Sequence, residues 1–167
     1  NEKERKQALE GYKEILSFAD LISANSVQSC NHMAQLTERK IHLVKNGVFV
    51  EQTANQTESL MQLEQIQEKA RNYRNCAAYV GKLGLRLDAD LIETVSRACP
   101  ETLFVFIGSY LKGQINEKLI SLFREENNVI HISAIPSAYV CSVCRQFDML
   151  IIPHSLGRFE NGGDPLK

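Results

Sequence analysis

Gly81 and Gly84 bracket Lys82 and Leu83, and Arg86 follows two positions later. Glycine lets a backbone approach a bound anion closely, and Lys and Arg supply charge and N–H donors, so this loop has the parts to hold a diphosphate. The same residues also describe a plain turn after a strand. Neither G-x-G-x-x-G nor G-x-x-x-x-G-K-[ST] is present, which argues against dinucleotide or P-loop chemistry. Cys141 and Cys144 form a C-x-x-C pair that would suit a metal ion or a redox dithiol. The second pair that a zinc site needs is missing, and Cys144 fits an apolar helix stripe, so small core residues are the simpler reading. His32, His42, His131 and His154 are scattered, with no i, i+4 pair and no clustered carboxylate, and no metal site is expected. His154 differs from the others in following an apolar strand, which would set it at the carboxyl edge of a sheet, where ligands gather; otherwise it is an ordinary loop residue. Asp148 precedes its strand and lacks the placement of a phosphoacceptor aspartate.

These residues need a scaffold, and the pattern around them predicts one. Ala77 to Val80 and Leu103 to Ile107 are short apolar runs without helical periodicity, as in parallel strands buried on both faces. Between them Asp88 is an N-cap candidate, Leu91, Ile92, Val95, Ala98 and Cys99 recur at the spacing of one helical face, and Pro100 follows. In such a βαβ unit, residues 81–86 lie where a strand's carboxyl end meets a helix's amino end, and unpaired backbone N–H groups there favour an anion. The alternation continues. Ile115, Leu119, Leu122 and Phe123 mark a helix face, NVIHIS a strand, Val140, Val143, Cys144 and Phe147 a short helix, and residues 149–152 a strand. Upstream, Ala8, Tyr12, Ile15, Leu16 and Ala19 share a helical face, residues 20–24 read as a buried strand, and Asn25 and Ser26 offer a cap. A helix from Val27 to about Leu36 and a strand from Ile41 to Val44 follow, ending at Asn46-Gly47. Residues 51–75 are polar, lack Gly and Pro, and set Leu63, Ile66, Ala70 and Tyr73 on one face, as a connecting helix would. The predicted class is α/β, a Rossmann-like, mainly parallel sheet flanked by helices and preceded by a partial βαβ unit. The predicted divisions are 1–50, a connecting helix over 51–75, and 76–167.

Composition narrows the function classes. The chain has 167 residues, 44% of them hydrophobic, with a formal net charge of -1 and a pI near 6.5, which argues against an extended basic surface for nucleic acid. No apolar run reaches the roughly 18–20 residues that span a bilayer, and the polar opening NEKERKQALEGYKE is no signal peptide, so a cytoplasmic setting is expected. Five cysteines, an odd number, fit reduced thiols better than a disulfide scaffold, and the sequon at Asn55 then has no chemical meaning. The chain opens inside a helical pattern without an initiator methionine and stops just after a loop, as a piece of a longer protein would.

Taken in order, four passages carry a resemblance: ADLISANS with KIHLVKNGV, then YVGKLGLRLDADLIETVSRACPETLFVFIGSY, then NNVIHISAIPSAYVCSVCRQFDMLIIPH, and finally DPLK. Together they resemble the nucleotide-sugar glycosyltransferases of GT-B type, especially the bacterial group-one enzymes of polysaccharide assembly. The resemblance covers most of the chain, from the end of an acceptor domain through most of a donor-binding domain. It implies transfer of a sugar from a nucleoside diphosphate sugar to a glycan or lipid-linked acceptor, with no further cofactor and no obligatory metal. It places Gly81, Lys82, Leu83, Gly84 and Arg86 at the diphosphate with Gly108 beside them, and Ile135 and Pro136 near the base. His154 and the Asp164, Pro165, Lys167 segment would close over ribose and phosphate, and Asn46 and Gly47 would be hinge residues. In the family a glutamate shortly after the proline-x-lysine motif commonly holds the donor ribose. This chain ends before it, no catalytic residue is assigned, and the chain alone is expected to transfer nothing. The resemblance leaves open a peripheral association of the longer protein with the inner face of a membrane. A noncatalytic α/β module that holds a phosphate-bearing effector or a protein partner in the same crevice is the competing reading, and a redox dithiol domain is a third.

Overall fold

The computed structural model describes residues 2–47 and 61–155, which fall in two compact units. The first contains α1 (Glu2–Phe18), β1 (Ile22–Ala24), α2 (Val27–Ala34) and β2 (Ile41–Leu43). β1 and β2 pair in parallel with Ile22 opposite Ile41, so β1, α2 and β2 form the expected βαβ unit. Ser26 is the N-cap of α2, its hydroxyl accepting from the Ser29 N–H at 3.0 Å. The Arg39 guanidinium donates to the carbonyls of Leu16 and Ser17 at 3.2 and 3.3 Å, occupying acceptors that the end of α1 leaves open. The apolar face predicted for α1 is only partly used. Leu16 is buried, but Tyr12 and Ile15 are 56% and 65% exposed.

The second unit contains α3 (Met61–Ala70), β3 (Asn75–Val80), α4 (Ala89–Ala98), β4 (Thr102–Ile107), α5 (Glu117–Glu125), β5 (Val129–Ile132), α6 (Ser137–Cys144) and β6 (Met149–Leu150). Its four strands are all parallel, in the order β5-β4-β3-β6, with Ala77 opposite both Phe104 and Met149. Side chains alternate between the faces of a strand, so each continuous apolar run feeds two cores. Ala77, Tyr79, Phe104, Phe106 and Val129 pack with Ile92 of α4 and Leu119 and Leu122 of α5. Cys76, Ala78, Leu103, Val105, Ile107 and Ile132 pack with Ile66 of α3 and Val143 of α6 on the other face. Fully buried side chains such as Phe106, Leu103 and Val105 each contribute roughly 1.5–3 kcal/mol. The Rossmann-like, mainly parallel α/β class expected from the sequence is the class observed.

Several boundaries differ from expectation. The connecting helix ends at Ala70 and β3 begins at Asn75, while residues 51–60 lie outside the described residues. Ile115 precedes α5 and is exposed. In α4 the buried residues are Ala89, Ile92 and Ser96, whereas Leu91, Val95 and Ala98 of the expected stripe are exposed. β6, with two residues in its ladder, is too short to cover that flank of α4.

β4 and β5 are laid down on one side of β3, with α4 and α5 on one face of the sheet; α6 then crosses the opposite face and delivers β6 to the other side of β3. The order of strands therefore reverses between β3 and β6, and a crevice opens at their carboxyl ends. Asp148 holds this junction at its other end: its carboxylate accepts from the Cys76 N–H at 2.8 Å and its own N–H donates to the Cys76 carbonyl at 3.0 Å. Among the described residues no helix is long and apolar enough to cross a membrane.

Candidate functional site

The loop leaving β3 is laced to the loop leaving β4. The Leu83 N–H donates to the Ser109 carbonyl at 3.0 Å and the Leu83 carbonyl accepts from the Leu111 N–H at 2.7 Å, while the Gly81 N–H donates to the Ile107 carbonyl at 2.9 Å. A Cβ at Gly108 would lie 1.8 Å from the Gly81 carbonyl oxygen, and one at Gly84 would lie 3.0 Å from the Gln114 carbonyl oxygen. At Gly108 glycine is required by the neighbouring loop, independently of any ligand, and at Gly84 a side chain would be a tight fit. Leu83 is fully buried, with its side chain in the core and its backbone groups spent between loops. Lys82 and Arg86 are exposed, and the Lys82 ammonium donates to the Ser109 hydroxyl at 2.7 Å.

The same loop is also tied to the segment leaving β6. The Asp88 N–H donates to the Pro153 carbonyl at 2.9 Å, the Ser155 N–H donates to the Arg86 carbonyl at 2.7 Å, and Leu87 and His154 form an antiparallel bridge. Asp88 caps α4 as expected, its carboxylate accepting from the Leu91 N–H at 2.9 Å. Lys82, Arg86 and His154 are thus brought to one edge of the sheet, on both sides of the strand-order reversal.

Three residues that the sequence pattern did not single out hold this edge from below. The Tyr79 hydroxyl lies 3.1 Å from the Lys82 carbonyl and 3.4 Å from Nε2 of His154, with the two rings edge to face at 5.9 Å. Ser109 receives the Lys82 ammonium. Nε2 of His131 lies 2.8 Å from the Gly108 carbonyl and donates to it, the ring lying between Phe123 at 5.4 Å and Tyr110 at 5.0 Å. Burial pushes the Tyr110 phenol above its ordinary range, against the opposing pull of Arg124. A polar tip at the end of an apolar strand is the one sequence signal that Tyr79 and His131 share.

The other expected site residues follow the carboxyl end of β5, belong to the first unit or fall outside the described residues. Ile135 packs against the core between the sheet and α6, and Pro136 is the N-cap of α6 without a side-chain cap bond. Asn46 belongs to the first unit, where its amide oxygen accepts from Asn25 Nδ2 at 3.5 Å, and nothing lies within 4 Å of where a Gly47 Cβ would stand. Asp164, Pro165 and Lys167 lie outside the described residues. Cys141 is exposed and so is no core residue, whereas Cys144 is half-buried. Burial, and then Cys141, push the Cys144 thiol above its ordinary range, away from the thiolate that redox exchange needs. No three His, Cys, Asp or Glu side chains among the described residues are placed to hold a metal ion.

A cavity of about 580 Å³ lies against the sheet face beside α4, lined by Leu91, Val95, Phe104, Met149, Ile152 and Pro153 among others. Its lining is mainly apolar and carries no cation, so it does not match the anion chemistry of the crevice. What the crevice offers is two exposed cations on a backbone held rigid by its neighbours, a setting for a phosphate group.

No family model matches the chain, and no curated protein does. Among solved structures it is similar to Anabaena Alr3699/HepE, whose crystal structure is in complex with UDP and glucose. The TM-score is 0.61 at 17% sequence identity, and the match covers 81% of this chain and 38% of that one. At this identity the likeness carries the fold, a Rossmann-like α/β arrangement, and this chain spans well under half the length of its structural neighbour.

Proposed function

We propose that this chain carries the donor-binding half of a GT-B glycosyltransferase that moves a sugar from a nucleoside diphosphate sugar to a glycan or lipid-linked acceptor, as in bacterial polysaccharide assembly. The observation that carries the reading is the convergence of Lys82 and Arg86 with His154 at the strand-order reversal between β3 and β6. The fold likeness to a protein solved with UDP and glucose supports it. In this reading the cleaved bond joins the sugar's anomeric carbon to the diphosphate, and negative charge builds on the departing diphosphate. Lys82 and Arg86 stabilise that charge most when it is fully formed, which is the condition for lowering a barrier. The Lys82 ammonium is already bonded to Ser109 and the Arg86 backbone to Ser155, so the loop that carries both cations is formed before the donor arrives. In this reading acceptor recognition and the remaining ribose contacts come from outside the described residues.

The test is ligand-observed NMR of the chain with UDP, GDP, ADP, dTDP and CMP, followed by competition with the matching sugar nucleotides. Selective binding to one diphosphate is expected. Lys82→Ala and Arg86→Ala should each weaken it by about 10- to 100-fold, the range of a lost charge-assisted hydrogen bond. Binding that neither substitution alters, or transfer by the longer protein from no nucleotide sugar at all, would overturn the assignment.

A further inference from the structure

We infer that Tyr79 and His154 form a positioning pair that couples the loop leaving β3 to the segment leaving β6, so that the cation-bearing edge moves as one body. The inference rests on the donor-site reading only for its effect on ligand affinity. Tyr79 is 2% exposed, on the core face of β3 beside Phe106, where a phenylalanine would fill the same space. Volume and hydrophobic burial therefore explain the ring and leave the hydroxyl unaccounted for. A hydroxyl in that setting costs stability unless it is bonded, so its partners define its role.

The hydroxyl has one hydrogen, and the shorter of its contacts, 3.1 Å, is to the Lys82 carbonyl, a pure acceptor. Its oxygen then faces Nε2 of His154 at 3.4 Å as acceptor, which requires the hydrogen on Nε2 and leaves Nδ1 unprotonated in the neutral ring. Tyr79 thus links the backbone at Lys82 to the histidine on the opposite side of the crevice. The backbone closes the other half of the circuit: Arg86 and Asp88 bond to Ser155 and Pro153, on either side of His154 in the chain. Lys82 is gripped through Tyr79 and Arg86 through the 153–155 backbone, and His154 belongs to both grips. Either grip alone would let one cation shift relative to the other. The two together fix the spacing that a diphosphate with charge on both phosphoryl groups would read.

The experiment uses the full chain labelled with 15N. Long-range 1H–15N spectra of the histidine rings should show His154 as the Nε2–H tautomer at neutral pH, and the Nδ1–H tautomer would overturn the inference. His154→Ala should shift the Lys82 backbone amide across the crevice, His154→Gln should restore much of that shift, and in a Tyr79→Phe background His154→Ala should leave Lys82 still. An equal Lys82 shift with and without the Tyr79 hydroxyl would overturn it as well. Should Tyr79→Phe fail to fold, the tautomer and the His154→Ala shift decide the matter. With UDP, each single substitution should raise Kd about fivefold and the double substitution no more than about fivefold, as for one shared device; effects that multiply to about 25-fold would mean two separate ones. If the unsubstituted chain binds no nucleotide, the donor reading fails while the tautomer and the amide shifts still test the pair.

Discussion

At the scale of single residues, the glycines of the crevice show how a local pattern and a tertiary constraint overlap. The spacing of Gly81, Lys82, Gly84 and Arg86 suggests an anion-holding loop, and the structure sets both cations on an exposed edge. The tighter steric demand falls at Gly108, where a Cβ would stand 1.8 Å from the Gly81 carbonyl oxygen, far inside van der Waals contact. Relief requires the ends of β3 and β4 to part, which breaks the bonds from Gly81 to Ile107 and from Leu83 to Ser109. Gly108→Ala should therefore destabilise the fold by on the order of 3 kcal/mol, read as a lower urea midpoint at unchanged slope. A midpoint within error of the unsubstituted chain would mean that the loops yield without cost. Nothing local to Gly108 announces this demand, because it comes from the register that sets Val80 opposite Ile107. The hydroxyl of Tyr79 and the ring of His131 were equally hidden, since each reads in isolation as one more strand residue.

At the scale of elements, the strand and helix alternation was legible because buried parallel strands are continuously apolar and the helices between them carry caps. Asp88 and Ser26 were visible as N-caps for that reason. What was not legible is how α4 ends. Asn128, a polar residue just before β5, is buried, and its Nδ2 donates toward the carbonyls of Ser96, Cys99 and Thr102 at 2.9, 3.2 and 3.1 Å. The end of a helix leaves carbonyls without intrahelical partners, and here a side chain from the turn before β5 supplies the donor. Asn128→Ala should cost about 1–3 kcal/mol through acceptors left unsatisfied. Asn128→Asp should cost at least as much, because a carboxylate cannot donate and would face carbonyl oxygens. Thermal unfolding of both variants is the check, and a neutral Asn128→Asp would show that water replaces the amide. The burial stripe of α4 departs from its apolar periodicity for a related reason: periodicity reports which face is apolar, whereas the length of the neighbouring strand, here β6, decides how much of that face is covered.

At the scale of the whole molecule, the two compact units are built to different depths, and this has a measurable consequence. The first unit has a two-stranded sheet and buries Leu16, Ile22 and Ala24, while Phe18 at the end of α1 is 79% exposed. The second has a four-stranded sheet with apolar cores on both faces. Sheets of two strands are marginal by themselves, so the first unit should open at a small fraction of the free energy that opens the second. Amide hydrogen exchange resolves this residue by residue. The amides of β3 and β4 should exchange at the slowest rate in the chain, and those of α1 and α2 far faster. A nucleotide diphosphate that binds only the second unit stabilises it by RT ln(1 + [L]/Kd), about 2.7 kcal/mol at a ligand concentration one hundred times Kd. Under donor binding β3 and β4 should slow by up to about a hundredfold, the equivalent of that energy, while α1 and α2 keep their rates. Equal slowing in both units would show that they open as one cooperative body, and the site would then draw on every contact in the chain. Slowing confined to α1 and α2 would place the ligand in the first unit, away from Lys82 and Arg86, and the crevice between β3 and β6 would lose its claim to the donor.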